Sequence, residues 1–382
     1  MAKGLYLGSS NLARKVKKLY IGNSNNLASK VKKMYVGDAN GIARNCLSGG
    51  TPAYYGKAAD LSIRRCLLNA TSAEGYALFA GGMESTTTAS GYVDYYMPSL
   101  TKGYATSLSS SRCEMGATSL GNLAFFGGGT NDPNSTSTTA CFSTVDVYEL
   151  PSFTHSNTPQ GVRSSWGLGA GSVGNYAVFV GGRSGSSGYY SRYNAFDASL
   201  TRQGTGVEQV TEAHGNGVGC TTIGNYLLAG GGYAGHYVDA VDIIDASLTV
   251  QTPLSFTVGM PQPCAETVDN RAIFINQGSS EVNMFDSSLT RIVFASSSNF
   301  PANGASAVLD DFVLIGGGTV NNSDYKSQML AVSSAGTLQS LTNLSEARAF
   351  LAATVVGEFA IFAGGKASRL PWSWNADVYY LE

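Results

Sequence analysis

Seven times along this chain a turn gives way to an unbroken apolar run of four or five residues, and six of the seven runs end on paired glycines. The segments are Glu74-Gly-Tyr-Ala-Leu-Phe-Ala-Gly-Gly82, Gly121-Asn-Leu-Ala-Phe-Phe-Gly-Gly128, Gly174-Asn-Tyr-Ala-Val-Phe-Val-Gly-Gly182, and Gly224-Asn-Tyr-Leu-Leu-Ala-Gly-Gly231. They continue with Asp269-Asn-Arg-Ala-Ile-Phe-Ile-Asn-Gln277, Asp310-Asp-Phe-Val-Leu-Ile-Gly-Gly317 and Gly357-Glu-Phe-Ala-Ile-Phe-Ala-Gly-Gly365. The spacing is roughly 40 to 54 residues, the length of a four-stranded propeller blade. A period this long overrides the usual inference that 382 residues make two or three ordinary domains.

Each apolar run is followed by a polar loop and a second strand pattern: Val93-Asp-Tyr-Tyr, Val145-Asp-Val-Tyr, Tyr193-Asn-Ala-Phe-Asp, Val241-Asp-Ile-Ile-Asp, Val282-Asn-Met-Phe-Asp, Met329-Leu-Ala-Val and Ala376-Asp-Val-Tyr. Most then enter a tight turn such as Asp197-Ala-Ser-Leu-Thr201, Asp245-Ala-Ser-Leu-Thr249 or Asp286-Ser-Ser-Leu-Thr290. An aspartate heading such a turn accepts hydrogen bonds from amides two residues on. An arginine also stands just before the innermost strand of several repeats (Arg65, Arg112, Arg163 and Arg348). Over residues 53–382 these features resemble the kelch-type β-propeller. The chain departs from that pattern in lacking regular Tyr and Trp markers after the glycines, and in having Asn276-Gln277 where the fifth pair should be. The likeness implies a fold and carries no function with it.

The last repeat stops at Val378-Tyr-Tyr-Leu-Glu382, one strand short of a blade, and the stretch Ala53–Ser62 precedes the first repeat. Its Leu61-Ser-x-x-Arg65 matches Leu344-Ser-x-x-Arg348. Residues 53–62 are therefore expected to supply the missing outer strand, joining the chain ends and removing open sheet edges. The fold expected is all-β: a seven-bladed kelch-like propeller of four-stranded antiparallel blades over residues 53–382, preceded by a short β-hairpin region over residues 1–50. The glycine pairs are read as letting the blades converge near a narrow axis. None leads into a helix, which argues against a phosphate-binding role.

Charged residues are only 13% of the chain, so polarity comes from hydroxyls and amides. Up to Arg44 there are nine basic residues against the single acid Asp38, a net +8; with a chain total of −2, the remainder carries −10. Such asymmetry predicts two regions with different partners. No apolar run is long enough to span a membrane, and no secretory leader is recognisable, so no membrane insertion and synthesis in a cytoplasm are expected. The six cysteines (Cys46, Cys66, Cys113, Cys141, Cys220 and Cys264) show no C-x-x-C pair, which favours small buried thiols over zinc or a disulfide framework.

The basic region has its own repeat. Lys3-Gly-Leu-Tyr-Leu-Gly, Lys17-Lys-Leu-Tyr-Ile-Gly and Lys32-Lys-Met-Tyr-Val-Gly each precede a polar turn and then Asn11-Leu-Ala-Arg, Asn26-Leu-Ala-Ser or Gly41-Ile-Ala-Arg. A period of 14–15 residues suits small hairpins. Three of these cannot bury a core alone and must pack on another chain, a copy of themselves or the propeller. The Val-Lys-Lys-x-Tyr-x-Gly pattern resembles N-terminal repeats in tail-associated structural proteins of bacteriophages and prophages of Gram-positive bacteria. That resemblance implies docking on other virion proteins through Lys17, Lys18, Tyr20, Lys32, Lys33 and Tyr35. A solvated basic hairpin is the bland alternative. Nucleic acid is disfavoured because strand alternation puts each tyrosine on the face opposite its preceding lysine.

Loops after the glycine runs are long, variable and aromatic: Met83–Tyr92, Thr130–Thr144, Arg183–Arg192, Tyr233–Ala240, Thr319–Gln328 and Lys366–Asn375. A rigid ring displaying variable loops on one face is a common binding platform. The candidate ligand-binding residues are Tyr189, Tyr190, Tyr233, His236, Tyr237, Tyr325, Trp372 and Trp374. Of these, Trp372 and Trp374 are expected as an exposed pair sharing one face. Exposed rings beside amides and carboxylates suit a sugar or a protein partner. Others would merely pack their loops.

Catalytic signals are weak. The histidines (His155, His214 and His236) have no nucleophile in a recognisable setting, Asp310-Asp311 reads as a turn, and the Tyr, His and Cys cluster of copper-bearing propellers is not visible. No cofactor and no metal are expected. The function expected is non-enzymatic: a structural and adhesion protein of a phage virion, in the tail or baseplate, assembled in the bacterial cytoplasm and binding a host surface glycan or protein. It would be a possible homo-oligomer. The alternatives are a cellular kelch-like interaction scaffold and a carbohydrate-active enzyme.

Overall fold

The computed structural model describes residues 50–382 apart from 136, 186–187, 205–207, 296–298, 322 and 368–371; before residue 50 it describes six short strands. The chain divides into two compact units, Met1–Thr51 with Leu381–Glu382, and Pro52–Tyr380. The first unit contains three antiparallel hairpins: Tyr6–Ser9 with Leu12–Lys15, Leu19–Gly22 with Ala28–Val31, and Tyr35–Gly37 with Ala43–Asn45. Their backbone register sets Tyr20 opposite Lys30 and Tyr35 opposite Asn45. Lys17, Lys18, Lys32 and Lys33 lie outside the described residues.

The second unit is a seven-bladed β-propeller of four-stranded antiparallel blades. The innermost strands are Asn69–Ala73, Gly116–Leu120, Gly169–Val173, Gly219–Ile223, Cys264–Val268, Ala305–Leu309 and Ala352–Val356. Each lies against the next round the ring, and the seventh lies against the first. In the seventh blade the outermost strand is Pro52–Lys57, paired beside Ala376–Leu381. The chain then continues along the same edge, with Ala58 N–H donating to Ala376 O and Leu61 N–H to Trp374 O, both at 2.9 Å.

There is no single core. Each blade is sandwiched between two neighbours, so the second strands are buried on both faces; Ala77, Leu78, Phe79 and Ala80 are all fully inaccessible. Continuous burial is why these strands read as unbroken apolar runs. Leu78, Ala80 and Val93 of blade 1 pack on Ala124, Phe126 and Tyr148 of blade 2. At the closure, Phe79 and Tyr96 pack on Ile361, Ala376 and Val378 of blade 7.

The glycine pairs stitch neighbouring blades, a different task from convergence at the axis. The last glycine of the run, the second or third, donates its amide to a carbonyl just before the next blade: Gly82 to Arg112 O at 2.9 Å, Gly129 to Ser165 O at 2.8 Å, Gly232 to Met260 O at 2.7 Å, Gly318 to Arg348 O at 2.8 Å and Gly365 to Arg65 O at 2.8 Å. The residue before it has no room for a side chain: a Cβ on Gly81 (φ +64) would sit 2.3 Å from Arg112 O. Positive φ and this close approach together demand glycine. Blade 5, with Asn276-Gln277, makes its stitch one residue later, from Gly278 to Phe300 O at 2.6 Å.

The arginine whose carbonyl accepts this bond sends its side chain into its own blade. Arg65 pairs with Asp94 at 2.8 Å and Arg348 with Asp377 at 2.7 Å; Arg112 pairs with Asp146 in the same way, and all six side chains are fully buried. The guanidinium also donates to a second-strand carbonyl, Phe79 O, Phe126 O or Phe362 O. Ser62, Ser109 and Ser345 give each aspartate an amide and a hydroxyl. Two residues after the aspartate, Tyr96, Tyr148 and Tyr379 donate to the carbonyls of Ala59, Thr106 and Thr342. The whole set occurs in three consecutive blades, 7, 1 and 2, which flank the closure. Blade 4 substitutes His214 on Asp242 at 2.8 Å, supported by Thr211. Blade 3 corrects the sequence alignment: Ser165 occupies the arginine position, Asn194 the aspartate position, and Arg163 instead lies 4.3 Å over the Tyr190 ring.

The Asp-x-Ser-Leu-Thr turns form as their composition predicts. Asp197 Oδ1 accepts from the amides of Ser199 at 2.9 Å and Thr201 at 3.0 Å, and Asp245 and Asp286 repeat the arrangement. Leu200, Leu248 and Leu289 take φ near +60° there, an unfavourable conformation for leucine. Their side chains are packed against the interblade clusters, which offsets that strain.

The buried pairs give a stability test. Arg348→Met leaves Asp377 charged and buried, and is expected to cost about 3–5 kcal/mol in denaturant unfolding. The double variant R348M/D377L, with neither charge, is expected to recover most of that loss.

Candidate functional site

The loops between second and third strands open on the same face as the blade-to-blade connections. On this face the chain passes each blade at an equivalent position near the axis: Leu67, Glu114, Gly167, Gly217, Gln262, Asn303 and Phe350. Six of these have left-handed backbone, with φ between 52° and 84°. They form a hydrogen-bonded belt around the mouth of the central channel. Phe350 N–H donates to Asn303 O, Leu67 to Phe350 O, Glu114 to Leu67 O, Gly167 to Glu114 O and Gly217 to Gly167 O, at 2.8–3.2 Å. The belt is open at blade 5. Gln262 precedes Pro263, and a residue before proline is held in extended backbone.

Inside the belt is a cavity of about 370 Å³, leading to a tunnel of about 350 Å³ along the innermost strands. The tunnel wall is small and polar, carrying Thr71, Thr118, Thr221 and Thr354. Its one carboxylate among the described lining residues is Glu266, whose Oε1 accepts from Ser306 Oγ at 2.8 Å. Burial pushes Glu266 up to about 7. Glu114, at the mouth, is also pushed up to about 7 by burial, with Arg183 pulling it partly back, and its Oε2 has no hydrogen-bond partner among the described residues.

The aromatic candidates divide into a group that meets and others that do not. Tyr189 and Tyr233 pack edge to face with centroids 6.1 Å apart, and Tyr233 and Tyr237 follow at 5.8 Å. Arg183 extends the row, 5.9 Å from the Tyr189 ring and 4.6 Å from Trp166. This row crosses from blade 3 to blade 4. It is increasingly exposed outward: Trp166 is 6% accessible, Tyr233 37% and Tyr237 61%. His236, in the same blade 4 loop, is exposed and lies 2.9 Å from Glu212. Tyr190 turns to Arg163, and Tyr325 belongs to a small hairpin, Thr319–Val320 with Asp324–Tyr325, in blade 6.

Trp372 and Trp374 do not form the exposed pair that alternation predicts. Trp372 packs on Cys66, Met83 and Cys113, whereas Trp374 is 40% exposed with the Arg64 guanidinium 4.1 Å above its ring. Sequence reasoning passed over Glu114, Arg183 and Trp166. Arg183 follows Gly181-Gly182 directly, and that was the available signal.

Among the described residues no group of three or more His, Cys, Asp or Glu side chains could hold a metal ion, and five cysteines are free. No described helix is long and apolar enough to cross a membrane.

The two raised carboxyls set a pH dependence. Their folded values, about 7, lie above the ordinary 4.5, so the folded state holds these protons more tightly. The resulting stability is fully present below 4.5 and is lost as pH rises through about 7. Urea midpoints are expected to fall over this window, and Glu266→Gln to make the fall shallower. Compared with known proteins, the chain matches no family model and no curated sequence.

Proposed function

We propose that this chain is a non-enzymatic structural and adhesion protein of a bacteriophage virion, placed in the tail or baseplate and assembled in the host cytoplasm. In this reading the propeller is kelch-like. The basic hairpins of residues 1–50 hold the chain to other virion proteins, and the loop face recognises a host surface glycan or protein. The observation that carries the recognition half is the row of rings Tyr189, Tyr233 and Tyr237, which ends in freely accessible surface. Flat apolar rings flanked by Arg183, His236 and Glu212 offer stacking faces with adjacent hydrogen-bonding groups, the combination a glycan needs. What supports the docking half is the Val-Lys-Lys-x-Tyr-x-Gly repeat and the +8 charge of the region that carries it.

Glycan-array and host-cell binding test recognition. Tyr233→Ala and Tyr237→Ala are each expected to weaken binding about tenfold or more, a loss of about 1.4 kcal/mol. Tyr104→Ala, on the outer strand of blade 1 and 76% exposed, should leave it unchanged. Equal effects from all three, or none from the first two, would remove the row from the binding surface. Removal of residues 1–46 is expected to abolish incorporation into particles while leaving the propeller folded by circular dichroism; continued incorporation contradicts the docking role.

A further inference from the structure

The loop face of blade 3 runs against the charge of the rest of the propeller. Residues 158–168 lead into its innermost strand, and residues 183–192 join its second and third strands. Together these segments hold Arg163, Arg183 and Arg192 and no aspartate or glutamate, although the chain beyond Arg44 carries a net −10. Two of these arginines also differ in kind from those of the core. Arg65, Arg112 and Arg348 are fully buried, each on its own aspartate. Arg163 and Arg183 have no carboxylate partner among the described residues and are laid on aromatic rings instead. The Arg163 guanidinium lies 4.3 Å over Tyr190, and that of Arg183 lies 4.6 Å from Trp166 and 5.9 Å from Tyr189. Glu212 is bonded to His236 at 2.9 Å, and neither it, Asp239 nor Glu114 lies within ion-pair distance of these arginines.

Both guanidiniums keep donors pointing to solvent. Arg163 is exposed, and its side chain makes no hydrogen bond to a described residue. In Arg183, Nε and Nη2 both donate to Gly185 O, at 3.2 and 3.0 Å, which fixes the plane of the group. Its Nη1 has no acceptor among the described residues, yet it is not one of the inaccessible polar atoms, so it opens on the surface. A guanidinium resting on a ring is held in place while its N–H edge stays free. That edge matches the two oxygens of a carboxylate or phosphate, which a mobile lysine ammonium does not. Tyr189 belongs to the Arg183 stack and also begins the row that continues through Tyr233 to Tyr237. Anion-binding edges and flat apolar faces are therefore contiguous.

We propose that the ligand of this face is an acidic saccharide, whose carboxylate or phosphate groups are gripped by Arg163 and Arg183 while its sugar rings lie on Tyr189, Tyr233 and Tyr237. This rests on the adhesion reading above and narrows its ligand from glycans in general to anionic ones.

The test is an array of carboxylated, phosphorylated and neutral glycans probed with the full chain, oligogalacturonate, mannose 6-phosphate glycans and chitotetraose among them. Poly-L-glutamate, an acid without sugar rings, controls for charge alone. Binding is expected to be confined to acidic glycans, with the carboxylated and phosphorylated sets telling which anion is preferred, and poly-L-glutamate is expected to bind at least about tenfold more weakly. Arg163→Met keeps an apolar contact with Tyr190 and removes the fork, so it should weaken the bound glycans about tenfold or more, as should Arg183→Met. Arg163→Lys keeps the charge alone and should fall between. Arg64→Met removes a similar stack, 4.1 Å over Trp374 of blade 7, and should change nothing. Raising salt from about 0.05 to 0.5 M should weaken binding about tenfold. Neutral glycans bound as tightly as acidic ones, and still lost on Tyr233→Ala, would overturn this inference and leave the adhesion reading standing. Equal binding of poly-L-glutamate, or indifference to both arginine substitutions in variants with unchanged thermal melts, would overturn it as well. No glycan bound at all would remove the glycan reading of the face together with it.

Discussion

At six of the seven blade junctions, one backbone carbonyl just ahead of the innermost strand joins this ring together. It accepts the amide of a glycine that follows the preceding blade's second strand, while the side chain of the same residue reaches into its own blade. In blades 7, 1 and 2 that side chain is an arginine bonded to a buried aspartate and to a second-strand carbonyl. Sheet-to-sheet packing and sheet-internal pairing are thus fixed at a single residue. Because a buried guanidinium without its carboxylate is costly, register errors between blades are penalised at the same point. The full arginine, aspartate, serine and tyrosine set surrounds the place where the chain ends meet, the junction with no covalent link to hold it.

Much of this was legible because propeller blades repeat their chemistry as well as their lengths. Uninterrupted apolar runs marked strands covered on both faces, and Leu61-Ser-x-x-Arg65 duplicated Leu344-Ser-x-x-Arg348 because both serve the same aspartate position, one in each of the two adjoining blades. Other features were hidden by local spacing. Arg163 sits two residues too early to enter blade 3, and Ser165 takes the buried position instead. The glycine pairs were visible, but their partner is a carbonyl about thirty residues onward, beyond any local pattern.

The binding face was less legible than the ring. Loop aromatics can be recognised as loop aromatics, yet which of them meet depends on how neighbouring blades are set. Tyr189 and Tyr233 join across a blade boundary, while Trp372, two residues from Trp374, turns inward onto Cys66 and Met83. Glu114 had no sequence signal because its meaning lies in the belt: equivalent positions in other blades are glycine, leucine, glutamine, asparagine and phenylalanine, and only their spatial alignment shows one acid placed over the channel mouth. The break in that belt at Gln262 follows from the prolines around it, which divides the mouth into a continuous six-blade arc and one irregular blade.

The account rests on a ring whose last blade is completed by residues from the start of the second unit. Amide hydrogen exchange measured by mass spectrometry addresses this directly, by comparing the peptide covering Pro52–Lys57 with those covering the inner strands of blades 1 and 7. Closure predicts that all three exchange together, only when the whole propeller unfolds. Exchange of the 52–57 peptide within seconds, while the inner strands remain protected, would contradict it.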